Sequence, residues 1–235
     1  MVLLSESLTD NSIVMKSFFI SILFSICSLF VTAQSANDTI KYGNKYHISF
    51  DLFKLVQGSL QVNYERPITK RSALCIGLIG TWSQSTGLAK IYLKAQDFDM
   101  KSSSGQIITN VDKTQVVGAG INLKYKVYLG KNPTAMNGWW WSPELFYRQL
   151  KITGEYTENS QIMQATKTLY LSYLGYAIGH QSTLFKVLCV DYYAGGGFFF
   201  SQYKGESFHT SDRANYQLDY TGVYLNGSIA IGFVK

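Results

Sequence analysis

The chain has 235 residues, of which 15% are aromatic and 15% are charged, and its formal net charge is +6. Soluble domains usually carry about 25% charged residues, so much of this surface is expected to touch something other than water. The sequence has no apolar run of the roughly 18 residues that a membrane-spanning helix needs and no block of basic residues, which excludes a helical membrane protein and argues against nucleic-acid binding.

The first 33 residues have the features of a secretory signal peptide. Lys16 supplies a positive charge, residues 18–31 form an apolar stretch, and Ala33 is a small residue ahead of a predicted cleavage site at Gln34. The residues before Met15 add nothing that a signal peptide needs, so both Met1 and Met15 remain candidate start positions. We therefore expect an exported protein.

Long segments of the chain alternate between apolar and polar residues. Every odd position from Val117 to Leu129 is apolar, and the segment from Val223 to Phe233 repeats this pattern. Ordinary strands have about 5–6 residues, whereas a tilted strand that crosses a bilayer needs about 9–11. The same test predicts eight strands, at residues 47–55, 57–66, 72–84, 113–129, 138–153, 166–181, 185–203 and 216–234.

The predicted connections alternate in length, apart from a tight first link near Val56. Three are short turns, at Pro67–Arg71, Gly130–Asn137 and Ser182–Leu184. Three are long loops, at Ser85–Asp112, Gly154–Ala165 and Lys204–Asn215. Outer-membrane barrels have short turns on the periplasmic side and long loops on the outer side.

Alternation alone fits both a soluble barrel with an apolar interior and a membrane barrel with an apolar exterior. Two further features favour the membrane barrel. Small residues occupy many polar-face positions, and aromatic residues gather near both strand ends, as in interfacial girdles. The girdle residues are Tyr46, Tyr64, Trp139, Trp141, Phe185 and Phe233 on the short-turn side and Trp82, Phe198, Phe200 and Tyr203 on the long-loop side.

The sequence thus predicts an all-β protein, an eight-stranded antiparallel up-and-down transmembrane β-barrel preceded by a cleaved signal peptide. The expected organisation is an N-terminal extension and signal peptide at 1–33, a short periplasmic segment at 34–46 and an outer-membrane barrel at 47–235.

Three segments, at residues 64–66, 138–145 and 191–197, resemble the uncharacterised small outer-membrane β-barrel proteins of Gram-negative bacteria. The likeness extends from about Ser49 to the end of the chain. It implies residence in the outer membrane but no established activity. The expected partners are outer-membrane lipids, the barrel assembly machinery and an unidentified extracellular ligand, and no cofactor is expected.

Enzyme chemistry would have to begin with the three histidines. His47 and His180 each precede a serine by two residues, the His-x-Ser spacing of outer-membrane lipid A deacylases. Both pairs are predicted at the short-turn end, whereas that family acts on the outer leaflet. His209 falls in a long loop, and no metal-binding spacing occurs. No catalytic, cofactor-binding or metal residue is therefore assigned.

Cys75 and Cys189 fall on inward positions of strands on opposite sides of the predicted barrel. A disulfide needs Cα atoms closer than about 7 Å, so we expect two free thiols.

The predicted inward face carries seven charged residues, the acidic Asp51, Glu65, Glu144 and Asp191 and the basic Lys124, Lys126 and Arg148. They could form a gate or proton path, or a salt-bridged plug. The plug is favoured because eight strands leave an interior just wide enough for side chains. A turn centred near Thr134 would set Lys124 opposite Glu144, and a slip by two residues would replace Lys124 with Lys126.

These features favour an outer-membrane barrel with a filled narrow lumen and a structural or surface-interaction role through its long loops. The first alternative is an outer-leaflet lipid-modifying hydrolase. The second is a carrier for small apolar molecules, which would need an unfilled lumen or a lateral opening.

Overall fold

A computed structural model describes residues 46–84, 100–101, 107–108, 113–130, 135–158, 161–185, 187–204 and 220–235. The predicted signal peptide and nearly all of the predicted periplasmic segment lie outside these residues. Most of the predicted loops at 85–112 and 204–215, including His209, also lie outside them.

Ten strands and one short helix make up the described residues. In chain order they are β1 (His47–Asp51), α1 (Leu52–Val56), β2 (Ser59–Pro67), β3 (Ser72–Gln84), β4 (Met100–Lys101), β5 (Ile107–Ile108), β6 (Lys113–Tyr128), β7 (Gly138–Glu158), β8 (Gln161–Leu184), β9 (Leu188–Tyr203) and β10 (Gly222–Val234).

Eight of these strands form one closed barrel in the order β1, β10, β9, β8, β7, β6, β3, β2. Every neighbouring pair is antiparallel, and β1 pairs with β10 to close the ring. The short β4 and β5 pair with each other and, among the described strands, with no other. The predicted eight-stranded up-and-down barrel is confirmed.

The strands place the charged residues inside the barrel, together with two clusters of buried apolar and aromatic side chains, and they expose apolar residues on the outside. In β6, Lys124 and Lys126 are buried, whereas Val117 and Ile121 of the opposite face are exposed. The outer face also exposes aromatic side chains near both strand ends, including Trp82, Trp139, Phe185, Phe198 and Phe233. This is the surface of a transmembrane barrel. Among the described residues, no helix is both long and apolar enough to cross a membrane.

The first predicted strand, 47–55, is wrong in its second half. β1 ends at Asp51, whose carboxylate accepts a hydrogen bond from the backbone N–H of Lys54 at 3.1 Å. This contact caps the short helix α1, and aspartate is a favoured residue at that position. Gly58, with φ of +68°, then turns the chain into β2. A helix and a turn therefore replace the predicted tight link near Val56.

The predicted long loop at Gly154–Ala165 is also wrong. β7 and β8 continue as a paired hairpin as far as Glu158 and Gln161. The hydroxyls of Thr153 and Thr166 lie 3.1 Å apart across this extension. Its residues show no apolar alternation because the hairpin reaches beyond the apolar band, so the sequence pattern could not reveal it.

Smaller differences concern other boundaries. Strand β8 continues to Leu184 and β9 begins at Leu188, so their connection comes later than the predicted 182–184, and strand β10 begins at Gly222 rather than at residue 216. The remaining barrel strands lie within a few residues of their predicted positions.

Candidate functional site

The seven charged residues predicted to face the lumen are all buried, with exposed fractions of 1–6%. Their hydrogen bonds and ion pairs fall into separate groups along the barrel axis. Glu65, Lys126 and Asp191 form one group near the short turns, and Lys124 and Glu144 form a second group further from them.

Lys126 is the centre of the group near the short turns. Its Nζ lies 2.8 Å from Glu65 Oε2 and 2.6 Å from Asp191 Oδ2, and it donates to Gln181 Oε1 at 3.2 Å. The same ammonium lies 4.6 Å from the centroid of the Trp140 ring. One ammonium therefore contacts two carboxylates in a buried site.

Neutral side chains complete this group. The Tyr128 hydroxyl lies 2.5 Å from Glu65 Oε1 and also contacts Gln181 Oε1. Trp140 Nε1 donates to Asp191 Oδ1 at 3.0 Å, and His47 Nδ1 lies 3.4 Å from Glu65 Oε2. We call these residues the short-turn cluster: His47, Glu65, Lys126, Tyr128, Trp140, Gln181 and Asp191.

The sequence analysis missed four members of the short-turn cluster: His47, Tyr128, Trp140 and Gln181. Strand parity could have found them, because Tyr128 shares the face of Lys126 and Trp140 shares the face of Glu144. The predicted luminal set was limited to Asp, Glu, Lys and Arg, so these four side chains were not included in it.

The second group contains the ion pair whose register the sequence predicts. Lys124 is the direct partner of Glu144 in the ladder between β6 and β7, which confirms that register. Lys124 Nζ lies 3.5 Å from Glu144 Oε1 and 3.4 Å from the centroid of the Tyr193 ring. Asn122 and Asn226 donate to the two Glu144 oxygens at 2.6 and 2.8 Å.

The two remaining charged residues bind hydroxyl groups. Arg148 donates to Ser59 Oγ at 2.5 Å and to the Thr81 hydroxyl. Asp51 accepts a hydrogen bond from the Ser228 hydroxyl in addition to the backbone N–H of Lys54. These contacts divide the predicted set of seven charges among several sites.

A cavity of about 220 Å³ lies on the loop side of the short-turn cluster. Its lining combines charged side chains with aromatic rings, namely Lys54, Glu144, Arg148, Phe146, Tyr173, Tyr193, Phe199 and Tyr224. The lumen is therefore closely packed near the short turns, contains this cavity further up, and is packed again nearer the long loops by buried apolar side chains, which include Val116, Leu150, Ile152 and Leu169.

The wall beside this cavity is incomplete. β1 pairs with residues 230–234 of β10, which leaves the Gly222–Ile229 edge of β10 without a partner strand on that side in the described barrel. Helix α1 lies between this edge and β2 and contacts both strands. We call this discontinuity the wall gap, bounded by β10 residues 222–229, α1 and the start of β2.

The cavity reaches the outer surface through the wall gap. Leu225 and Gly227 are at outward positions of β10 and nevertheless line the cavity, together with Phe53 of α1. Leu225 is 72% exposed and Phe53 is 54% exposed. No residue of α1 is buried, although four of its five residues are apolar.

The candidate His-x-Ser pairs occupy different environments. His180 Nδ1 lies 3.2 Å from Ser182 Oγ on the outer face, with its ring against Trp139 and Tyr192. In the described residues no carboxylate contacts His180. His47 lies inside the short-turn cluster. Both pairs are close to the short turns, as the sequence predicts.

Cys75 and Cys189 are free thiols, as predicted, and both are buried. Within the described ranges, no group of three or more His, Cys, Asp or Glu residues is arranged to hold a metal ion.

No family model matches the chain, and no curated protein matches it. Two solved structures are similar, both of CarO proteins from Acinetobacter baumannii. The CarO structure shares 9% sequence identity with this chain and superposes with a TM-score of 0.38. The match covers 81% of this chain and 96% of the CarO chain. The CarO2 structure shares 8% sequence identity and has a TM-score of 0.37, and the match covers 82% of this chain and 98% of the CarO2 chain.

Proposed function

We propose that the protein resides in the outer membrane of a Gram-negative bacterium as a barrel that does not conduct solutes freely, with a structural or surface-interaction role on its loop side. The observation that carries this proposal is the short-turn cluster. Its side chains cross the lumen and bind one another, with exposed fractions of 6% or less among the charged members. A solute passing along the barrel axis would have to break the contacts of Lys126 with both carboxylates.

The loop side supports the interaction role. The β7–β8 hairpin continues to Glu158 and Gln161, beyond the last ladder pair of β8 with β9 at Leu169 and Tyr203. A paired extension of this kind offers a partner an ordered surface. The predicted loops at 85–112 and 204–215 would adjoin it, and an extracellular ligand would bind there. Outer-membrane lipids would cover the apolar band, and the barrel assembly machinery would insert the chain.

The hydrolase alternative lacks support in the described residues. The His180–Ser182 pair has no acid to orient the imidazole, and a base in a catalytic triad needs such a group. It also lies near the short turns, which the proposed topology sets in the periplasm.

A carrier for small molecules is a second candidate function because of one observation. The cavity of about 220 Å³ opens through the wall gap, so a ligand could enter the lumen sideways from the bilayer. This function is compatible with a blocked axial path.

Single-channel conductance of the refolded protein in planar bilayers tests the blocked path. We expect no steady current from the wild type. Combining Lys126→Ala with Trp140→Ala removes the ammonium and a ring that is 0% exposed inside the cluster and should permit current, whereas Trp139→Ala removes a ring that is 55% exposed on the outer face and should not. A stable ohmic channel in the wild type would contradict the proposal.

Location and topology need a separate test. The mature chain should fractionate with the outer membrane and migrate differently on gels with and without boiling. A protease added to intact cells should cut first in residues 85–112. Recovery from the soluble periplasm, or cleavage confined to the short turns, would contradict the assignment.

A further inference from the structure

The loop-side cavity contains buried polar atoms without a hydrogen-bond partner in the described residues. They are the Tyr173 hydroxyl and Asn226 Oδ1. Both side chains line the cavity, and Tyr173 is only 3% exposed. Buried polar groups in folded proteins nearly always have a partner, so two unpaired polar atoms in residues that line one cavity show that its wall is polar as well as aromatic.

Lys54 brings a positive charge to the same cavity. Its Nζ lies 5.7 Å from the centroid of the Phe146 ring, and it makes no ion pair within the described part of the chain. The nearby carboxylates are already engaged. Asp51 accepts from a serine hydroxyl and from the backbone of Lys54, while Glu144 pairs with Lys124 and receives two amide donors. The Lys54 ammonium therefore remains available to an external anion.

The size and lining of the cavity limit the rest of the ligand. Phe146, Phe199 and Tyr224 form an aromatic wall. An engineered apolar cavity of about 150 Å³ binds benzene, so a cavity of about 220 Å³ accommodates a body somewhat larger than one ring. The exposed apolar residues of α1 and Leu225 border the wall gap, which makes that entrance suitable for an amphiphile that partitions into the bilayer.

We propose that the cavity binds a small organic monoanion with an apolar body about the size of one ring, which enters through the wall gap and pairs with Lys54. The aromatic wall would hold the apolar body. The inference rests on the second candidate function, the carrier, and adds the ligand class, the recognising residue and the route of entry.

Calorimetric titration of the barrel in lipid nanodiscs, with protein-free nanodiscs as the blank, tests the recognition. The probes are 3-phenylpropionate and its neutral amide, which share shape and size. We expect the carboxylate to bind at least about tenfold more tightly, because a hydrogen bond to a charged group is stronger than a neutral one. Lys54→Met should abolish this preference, Lys54→Arg should retain it, and Lys70→Met, an exposed lysine in a short turn, should leave it unchanged.

Two results would overturn the recognition step. The first is the absence of binding of either probe to the wild type, which would leave the conductance test of the blocked axial path unaffected. The second is equal affinity for the carboxylate and the amide. If Lys54→Met fails to give the heat-modifiable folded band, Lys54→Gln takes its place and must show the same loss of preference.

Lateral entry through the wall gap is tested separately by the association rate of 3-phenylpropionate, measured by stopped flow. Leu225→Trp enlarges a side chain at the wall gap and should slow association. Leu174→Trp makes the same change at an outward position of β8 that is 50% exposed and remote from the gap, and it should not slow association. Equal rates for the two variants would overturn lateral entry.

Discussion

Replacement of Lys126 by methionine is expected to destabilise the barrel more than any other removal of a single luminal lysine. The ammonium contacts Glu65 at 2.8 Å and Asp191 at 2.6 Å, and the side chain is 1% exposed. Methionine has a similar length, so the change removes the charge without leaving a large void. Two carboxylates then share a buried site with no cation between them.

The expected loss follows from these contacts. Removal of one partner from a buried ion pair costs about 3–5 kcal/mol because the other charge is left without compensation. Lys126 is the ammonium in contact with two carboxylates, which favours the upper end of this range. Tyr128 and Trp140 still donate to Glu65 and Asp191, so the loss should not be twice that of a single pair. We expect a decrease of about 4–5 kcal/mol in the free energy of unfolding.

Urea unfolding in lipid vesicles, followed by tryptophan fluorescence, measures this quantity. Lys124→Met should cost less, about 3 kcal/mol, because Glu144 keeps two amide donors. Lys70→Met, on an exposed turn, should stay within about 0.5 kcal/mol of wild type.

Replacing the two carboxylates that Lys126→Met leaves without a cation provides a second check. Addition of Glu65→Gln and Asp191→Asn to Lys126→Met should recover most of the lost stability, because no buried charge then remains unpaired. A loss below about 1 kcal/mol for Lys126→Met alone would refute the reasoning, because it would mean that water solvates both carboxylates inside the lumen.

Three further predictions concern other contacts. A double-mutant cycle with Lys124→Met and Glu144→Gln should give a coupling energy clearly different from zero, in the range of about 0.5–3 kcal/mol for residues in contact, and a zero value would remove this pair from the network. Gly197→Ala should impair folding, measured as the heat-modifiable fraction, because its Cβ would lie 2.3 Å from a backbone oxygen of β8, whereas Gly80→Ala meets no atom within 4 Å and should fold normally. Neither buried cysteine should react with a maleimide until the barrel is unfolded, and rapid labelling of the folded protein would show that the lumen admits the reagent.

Strand positions and faces were predictable because the membrane imposes a strict alternation on every crossing strand. Lys124 and Lys126 could be assigned to the lumen from parity alone, and the short turn between β6 and β7 fixed their register. Where the apolar band ends, as at Thr153 and Thr166, the alternation ends as well, and the hairpin extension could not be recognised.

The candidate site was less predictable. The cavity and the wall gap depend on α1, and the sequence 52–56 is as apolar as a strand. The decisive feature was the Asp51 carboxylate, which caps the helix. The alternation of odd and even positions could identify which side chains enter the lumen, but not which of those side chains contact one another. That depends on contacts across the barrel, such as that of Lys126 with Asp191, between strands that are not neighbours.

The length of the β7–β8 hairpin has a consequence for engineering. Its strands contain 21 and 24 residues, whereas about 9–11 residues cross a bilayer, so a large part of each strand stands clear of the lipid. A peptide inserted after Glu158 would be held at a distance from the headgroups by a hydrogen-bonded stem. The barrel could then present a foreign epitope to antibodies on living cells, with the insertion remote from the luminal ion pairs.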